Sequence, residues 1–242
     1  TQADVVLRTR MAADLLGATP MDAPEGFVPH PKTGRVYIAM TENEDRLPAG
    51  EGDAGEQVNV ANTRAPNPDG HILEITPPGA PDAPDHAATD YTWDAFILCG
   101  DPTDPAAHAL CHPETSANGW FTDPDNLSVD PAGRLWVTTD GPPDAGFNDA
   151  LYATDTEGNG KALPKLFYLP PVGSEVCSPA FTPDGKTMFL SIQHPGELRL
   201  EDGEDSTSIA DAGTNWPDFI DGHGPRPSLV VISKDDGGVI GS

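Results

Sequence analysis

Four residues with oxygen donors in their side chains occur at a similar distance, seven to ten residues, before a turn glycine. They are Glu25, Asp125, Asn126 and Glu175. Carboxylates that a fold brings together repel one another unless they take up protons or bind cations. Three carboxylates and an amide oxygen suit a hard cation such as Ca²⁺, which takes about six to eight oxygen ligands. The pattern predicts a shared metal site, and the alternative is that these residues cap turns.

Three further residues are candidates for substrate binding. Arg64 lies seven residues before His71, which precedes the apolar stretch ILEI. An arginine beside bound cations would hold a phosphate group through two parallel hydrogen bonds; the alternative is an ordinary surface residue. His194 follows a predicted strand, between Gln193 and Glu197. These side chains either support metal ligands from outside or shape the loop.

Three stretches share a turn and a strand pattern. They are HPKTGRVYIAM (His30 to Met40), DPAGRLWVTTD (Asp130 to Asp140) and TPDGKTMFLSI (Thr182 to Ile192). Each contains a proline, a glycine turn, a basic residue and then alternating apolar residues. This pattern predicts a hairpin followed by a half-buried strand. These strands must position the candidate ligands, which come just before each hairpin.

The turn glycines also predict a repeat. Gly34, Gly133, Gly185 and Gly237 lie 99, 52 and 52 residues apart, which fits a unit of about 50 residues with one degenerate copy near His71 to Cys99. Short strands at that period are typical of β-propeller blades. We therefore predict an all-β chain with one domain over residues 1–242 that covers about four or five blades of a larger propeller. A β-sandwich with coincidental turn spacing is the alternative.

Outside this pattern, one short helix is predicted over roughly Asp4 to Leu16, ending at Gly17, because apolar residues recur there at helical spacing. Two acidic, glycine-rich stretches, Thr41 to Val58 and Leu200 to Gly224, are predicted to be long loops after strands. Such loops often carry function. Because the chain begins with Thr1, we also expect an N-terminal part to precede it.

The net charge of the chain disfavours some classes of binding partner. Asp and Glu number 39 against 13 Lys and Arg, a formal net charge of −26. This field repels nucleic acid and anionic membranes and attracts cations. No stretch approaches the roughly 20 apolar residues of a membrane span. Cys99 and Cys111 are near enough in sequence for a disulfide, which would indicate an oxidising compartment; the alternative is inert thiols.

Motifs of other enzyme classes are missing from the sequence. It has no G-x-S-x-G, no P-loop and no G-x-G-x-x-G after a strand, which disfavours a nucleophile-elbow serine hydrolase and a P-loop nucleotide enzyme. No cluster of His and Cys indicates structural zinc.

Several runs carry a family resemblance across nearly the whole chain. They are TRMAADLLGATPMDAPEG, HPKTGRVYIAMT, NTRAPNPDGHI, DPDNLSVDPAGRLWVTTDG, FTPDGKTMFLSIQHPGE and RPSLVVISKDDGGVIG. The chain resembles the C-terminal half of the PhoX-type alkaline phosphatases. The resemblance implies a six-bladed propeller, exported folded by the twin-arginine route and hence secreted or periplasmic. It also implies hydrolysis of small phosphomonoesters at Ca²⁺ and Fe³⁺.

The same resemblance assigns residues. Glu25, Asp125, Asn126 and Glu175 match positions that look like the family's metal ligands. The family's phosphate-contacting arginine sits two residues before the first glutamate, where this chain has Ala23. The iron-binding cysteine of the family belongs to an upstream segment that is not in this sequence. An N-terminal half that completes the ring is therefore a possible partner.

Three functions compete at this point. The first is a metal-dependent phosphomonoesterase of the PhoX type. The second is a calcium-dependent lactonase-type propeller, which also gathers Glu, Asn and Asp on its axis. The third is a propeller fragment that binds Ca²⁺ without catalysis. Inhibition by phosphate or vanadate distinguishes the first function from the second. Mutation of Glu175 to Gln tests the third, since it should change thermal stability and leave no activity to lose.

Overall fold

The regular structure of the chain is almost entirely β. The computed structural model describes residues 1–142, 146–198, 200, 206 and 208–242. Within these residues the strands are β1 Pro24–Pro29, β2 Val36–Met40, β3 His71–Thr76, β4 Thr92–Leu98, β5 Pro124–Val129, β6 Arg134–Thr139, β7 Leu151–Asp155, β8 Lys165–Tyr168, β9 Glu175–Phe181, β10 Thr187–Gln193 and β11 Ser228–Ser233. The all-β class predicted from the sequence is confirmed.

The strands form three antiparallel sheets in which each strand pairs with its neighbour in sequence. The orders are β1-β2-β3-β4, β5-β6-β7-β8 and β9-β10-β11. The first hairpin of each sheet contains Gly34, Gly133 or Gly185, all with a positive φ that suits glycine. The three hairpins that the sequence predicted are therefore confirmed.

The predicted number of repeats, four or five, is wrong for the described residues, which form three sheets. The stretch His71 to Cys99 is not a degenerate repeat, because it supplies β3 and β4 of the first sheet. Gly237 follows β11 without a further strand in the described chain. Long connections within the first sheet produced the 99-residue spacing that suggested two units.

The N-terminal segment is helical, as predicted, but it forms two helices: α1 Gln2–Leu7 and α2 Thr9–Leu16. The break lies at Arg8, whose φ of −131° and ψ of 45° are not helical. Gly17 ends α2 in the left-handed conformation, as expected. Neither helix has a buried residue. Of the described residues, none belongs to a helix long and apolar enough to cross a membrane.

Two apolar clusters hold consecutive sheets together. Tyr37 and Ile72 of the first sheet pack with Leu135 and Val137 of the second. Trp136 on the other face of β6 belongs to the cluster that includes the third sheet. Burying a large apolar side chain contributes about 1.5–3 kcal/mol. Cys99 lies in the first cluster. Cys99, like Cys111 and Cys177, is a free thiol, so the disulfide between Cys99 and Cys111 that the sequence suggested is not formed.

The first strands of the three sheets lie side by side: β1 contacts β5, and β5 contacts β9. Thr41 Oγ1 donates a hydrogen bond of 3.2 Å to the Pro124 carbonyl, which ties the first sheet to β5. Asn126 Oδ1 accepts hydrogen bonds from the Ser178 backbone N–H and hydroxyl, which ties β5 to β9. This arrangement brings the beginnings of the three strands, and their acidic residues, close together.

Candidate metal centre

The first strand of each sheet, β1, β5 or β9, begins in the same way. Two residues ahead of the predicted carboxylate, the chain has a positive φ, at Ala23 (42°), Asp123 (49°) and Gly173 (66°). The carboxylates that follow are Glu25, Asp125 and Glu175. A non-glycine residue with positive φ is uncommon and costs about 1–3 kcal/mol, and such strain is concentrated at functional sites. The shared geometry places the three carboxylates at the same end of neighbouring strands.

A close approach of backbones supports this arrangement. The pairing of β1 with β2 shifts register between Pro24 and Phe27, next to Glu25. Gly26 packs so tightly that a Cβ there would overlap the carbonyl oxygen of Asp125. The missing side chain at Gly26 thus allows β1 to approach β5. Register irregularities of this kind re-aim side chains, which fits a strand that directs a functional group.

A cavity of about 530 Å³ opens at this end of the strands. Its carboxylates are Glu25, Glu42, Glu44, Asp123, Asp125 and Asp140. We call it the acidic groove. Its lining, within the part of the chain that the structure describes, includes neither lysine nor arginine.

The acidic groove opposes ionisation of its own carboxyl groups. Burial, together with the charge of Glu175, raises the pKa of Asp125 to about 7. The same two causes raise the pKa of Asp140 to about 6. Burial raises the pKa of Asp123 to about 7. Without a cation, the groove therefore resists its full negative charge near neutral pH.

Glu175 has the richest set of contacts. Its Oε1 accepts a hydrogen bond from Cys177 Sγ at 2.8 Å, and its Oε2 accepts one from Gln193 Nε2. His194 Nε2 lies 3.5 Å from the same Oε2, and His194 Nδ1 lies 2.7 Å from Glu197 Oε2. The sequence had identified Gln193, His194 and Glu197 as possible supporting residues, and all three belong to this network.

Charge pairing shapes the protonation of this network. The contact with Glu175 is the main cause that raises the pKa of His194 to about 9. Burial opposes the ionisation of Glu175, but its contacts with His194 and Cys177 outweigh burial and lower its pKa. Atoms of Asp140, Glu175 and His194 that are able to bind a metal lie within 4.8 Å of one another. A cation held by all three residues would have to displace the proton that a pKa of about 9 places on His194.

The sequence reasoning missed Asp140, although a signal was present. Asp140 directly follows β6, the second strand of its sheet, just as Thr41 follows β2 and His194 follows β10. The second strand is antiparallel to the first, so its end lies beside the beginning of the first strand. A search for polar residues directly after the second strand of each repeat would have selected Asp140 together with His194.

The other sequence candidates have different surroundings. The amide oxygen of Asn126 accepts the two hydrogen bonds from Ser178, so Asn126 joins two sheets and its role as a ligand stays a prediction. Arg64 is buried, and its Nη1 donates to the carbonyls of Cys99 at 2.7 Å and Ala107 at 2.9 Å. Its guanidinium thus braces the backbone, and phosphate binding by Arg64 stays a prediction.

His71 is likewise separate from the carboxylate cluster. It is 2% exposed, and its Nδ1 lies 3.2 Å from Asn67 Nδ2. Burial lowers its pKa to about 4, so the imidazole is neutral at ordinary pH. Asn67 also donates to Asp22, which forms a fully buried ion pair with Arg46. The structure therefore places His71 in a buried polar network, and a role in substrate binding stays a prediction.

Comparison with known proteins gives a family and a similar solved structure. The family model described as alkaline phosphatase PhoX matches residues 1–196. The chain belongs to the PhoX alkaline phosphatase family. A solved structure of Pseudomonas fluorescens PhoX in complex with vanadate, a transition state analogue, is similar to it at 33% identity and a TM-score of 0.81. The alignment covers 99% of this chain and 38% of that one, so this chain spans well under half of the PhoX structure. No curated protein matched.

The residues of this PhoX-family chain fit a hard cation. Carboxylate oxygens dominate the acidic groove, and burial raises the pKa of several of them. Glu175 and His194 add two donor atoms within 4.8 Å of Asp140. The donor set is rich in oxygen, which suits Ca²⁺. The family model and the solved structure confirm the sequence resemblance to the PhoX family.

Proposed function

We propose that this chain contributes the cation-binding face of a PhoX-type alkaline phosphatase, a hydrolase of small phosphomonoesters. The observation that supports this most strongly is the convergence of Glu25, Asp125 and Glu175 at the start of three adjacent strands. In the reaction, water replaces the alcohol on phosphorus and yields phosphate and the free alcohol. The membership in the PhoX family supports this choice of chemistry.

The charge of the acidic groove makes cations necessary for this activity. A phosphate ester is an anion, and the six carboxylates of the groove repel it without a lysine or arginine in the described lining to compensate. Bound cations would neutralise the groove and stabilise the negative charge of the phosphate during the reaction. The proposed ligands are Glu25, Asp125 and Glu175, with Asp140, His194 and Asn126 as further donors.

Gln193 and Cys177 have a supporting role in this proposal. Both donate hydrogen bonds to Glu175 and fix its orientation. Partners of this kind commonly change metal affinity by about 10–100-fold when they are lost. The proposed metals are Ca²⁺ and, as in the family resemblance, Fe³⁺. Iron has the weaker support, because the Cys177 thiol donates to Glu175 and burial raises its pKa, which disfavours the thiolate form that binds iron.

The wider architecture is part of the proposal. Sheets of up-and-down strands whose first strands adjoin are what blades of a propeller provide. We propose that the three sheets are consecutive blades of a six-bladed ring, that further blades come from an N-terminal part, and that the protein is secreted or periplasmic. The net charge of −26 disfavours nucleic acid as a partner.

Metal analysis and a phosphatase assay test the proposal together. Elemental analysis of the purified chain should find calcium, and hydrolysis of p-nitrophenyl phosphate should depend on added Ca²⁺ and be inhibited by vanadate. Glu175→Gln should lower both bound calcium and activity at least about tenfold. Glu157→Gln is the matched control. Glu157 is exposed and forms an ion pair with Arg35 of the neighbouring sheet. Calcium loss without any effect on activity would contradict the proposal.

One observation favours the non-catalytic alternative. Ala23 stands where the family has its phosphate-contacting arginine, and the acidic groove lacks a replacement in its described lining. In that case Glu175→Gln lowers thermal stability and calcium content, and no vanadate-sensitive hydrolysis exists to lose. Hydrolysis of a lactone that vanadate does not inhibit would instead identify the lactonase-type function.

A further inference from the structure

The largest cavity described lies beside the acidic groove and has a different chemistry. It measures about 840 Å³. The residues that define its character are Arg64, Asp69, Asp101, Asp104, Trp120 and Phe147. We call it the aromatic pocket. A volume of several hundred Å³ is typical of cavities that bind small molecules.

Two aromatic rings form one wall of the aromatic pocket. The rings of Trp120 and Phe147 meet edge to face, with centroids 5.6 Å apart and planes at 79°. Phe147 is 47% exposed. Aromatic faces that are accessible to solvent are suited to alkyl groups and to organic cations.

The charge of the aromatic pocket is negative, because its one described arginine is already engaged. Arg64 donates to the carbonyls of Cys99 and Ala107 and lies 3.8 Å from Asp69 Oδ2. Asp101 and Asp104 accept hydrogen bonds only from neighbouring residues of their own turn in the described chain. Excess carboxylate beside aromatic rings favours a cation and disfavours an anion.

The aromatic pocket and the acidic groove adjoin at one backbone segment. Thr122 lines the pocket, and Asp123, the next residue, lines the groove. The Asp123 N–H donates to the carbonyl of Asp69, on the pocket side, at 3.0 Å. A molecule with a phosphate at one end and a cationic group at the other would thus find complementary surroundings on the two sides of this short segment.

We propose that the aromatic pocket binds the ammonium group of the substrate's alcohol portion, so that the preferred substrates are phosphate monoesters of amino or quaternary ammonium alcohols. This substrate class rests on the proposed phosphatase function, whereas the binding of an organic cation by the pocket does not. Trp120 supplies the aromatic surface, and Asp101 and Asp104, which have no basic partner in the described chain, supply the negative charge.

Choline without phosphate tests the pocket by itself. Titration calorimetry should show that the calcium-loaded chain binds choline and not its uncharged isostere 3,3-dimethylbutanol. Trp120→Ala should weaken choline binding about tenfold, and Asp104→Asn, a mild change at an exposed residue, about threefold. Trp93→Ala is the control, since Trp93 is 43% exposed on β4 outside the pocket lining. Absence of choline binding, or equal binding of the isostere, would overturn the proposal.

Kinetics separate the pocket from the phosphatase function. The chain should hydrolyse phosphocholine with a kcat/KM about tenfold above that of 3,3-dimethylbutyl phosphate, and Trp120→Ala should remove this preference. Choline binding without hydrolysis of either ester would refute the phosphatase proposal and leave the pocket standing. Equal hydrolysis of both esters without choline binding would refute the pocket and leave the phosphatase standing.

Discussion

His194 Nε2 lies 3.5 Å from Glu175 Oε2, at the point where the end of β10 meets the start of β9. Strand register explains this contact, because Gln193 pairs directly with Glu175 and His194 is the next residue. Asp140 follows β6 in the same way, beside the start of β5. The candidate donors therefore come from the start of the first strand in all three hairpins and from the residue after the second strand in two of them.

We expect calcium to stabilise the chain much more at about pH 8 than at about pH 5. Burial in the folded chain raises the pKa of Asp125 to about 7 and of Asp140 to about 6, above the ordinary aspartate value of 3.8. Stability from these protonated groups is therefore present below about pH 4 and is lost as pH rises through about 6 to 7. Calcium replaces the lost protons, and a hundredfold excess over Kd should raise Tm by about 5–10 °C at the higher pH.

Calorimetry of the metal-free and calcium-loaded chain measures this difference. Asp125→Asn should raise the Tm of the metal-free chain at the higher pH, because it removes one repelling carboxylate, and should reduce the gain from calcium. Glu157→Gln should change neither value. A calcium gain that is the same at both pH values would show that these carboxylates do not bind the cation.

The sequence predicted the local geometry of this centre well. The glycine turns at Gly34, Gly133 and Gly185 are short-range signals, and each hairpin formed where its turn residues required. The position of Glu25, Asp125 and Glu175 followed from these turns, because residues at similar distances before equivalent turns lie near the start of equivalent strands. Family membership was also readable, since its motifs lie in these same hairpins.

Long-range features were beyond the reach of such patterns. The described residues form three sheets and not four or five repeats, because the connections in the first sheet are long enough to imitate a second unit. The engagement of Arg64 by the carbonyls of Cys99 and Ala107 depends on distant loops that no local pattern reveals. The burial of His71 has the same origin, because Asn67 and its partners fold over the start of β3.

Cys177 is expected to control calcium affinity through Glu175. Its Sγ donates a hydrogen bond of 2.8 Å to Glu175 Oε1. Cys177→Ala removes this donor and should weaken calcium binding about fivefold to tenfold in titration calorimetry. Cys177→Ser keeps a donor at the same place and should stay within about twofold of the parent chain. Equal affinity of the Ala and Ser variants would show that the thiol does not position Glu175.

Ala23→Arg is expected to strengthen phosphate binding. The residue lies two positions before Glu25 and lines the acidic groove. Ala23 already carries a Cβ at a φ of 42°, so arginine adds little backbone strain. Hydrogen bonds from its guanidinium to a bound phosphate should lower the Kd for phosphate about tenfold in the calcium-loaded chain.

Ala23→Gln is the uncharged control and should leave the Kd for phosphate nearly unchanged. Calorimetric titration with inorganic phosphate measures binding without requiring turnover. If arginine and glutamine have the same effect, phosphate does not bind near residue 23, and the acidic groove has to hold cations for another purpose.

His71 should make the folded chain sensitive to acid. Burial lowers its folded-state pKa to about 4, below the ordinary histidine value of 6.5, so the unfolded chain takes up a proton between these values and the folded chain does not. Stability is therefore full above about pH 6.5 and falls by up to roughly 3 kcal/mol as pH drops toward 4.

Urea unfolding of the parent and of His71→Gln, compared at each pH, isolates this contribution because the other titrating groups are common to both. The difference between the two free energies of unfolding should narrow as pH falls. A constant difference for His71→Gln would mean that His71 is protonated in the folded chain and that its surroundings tolerate the charge.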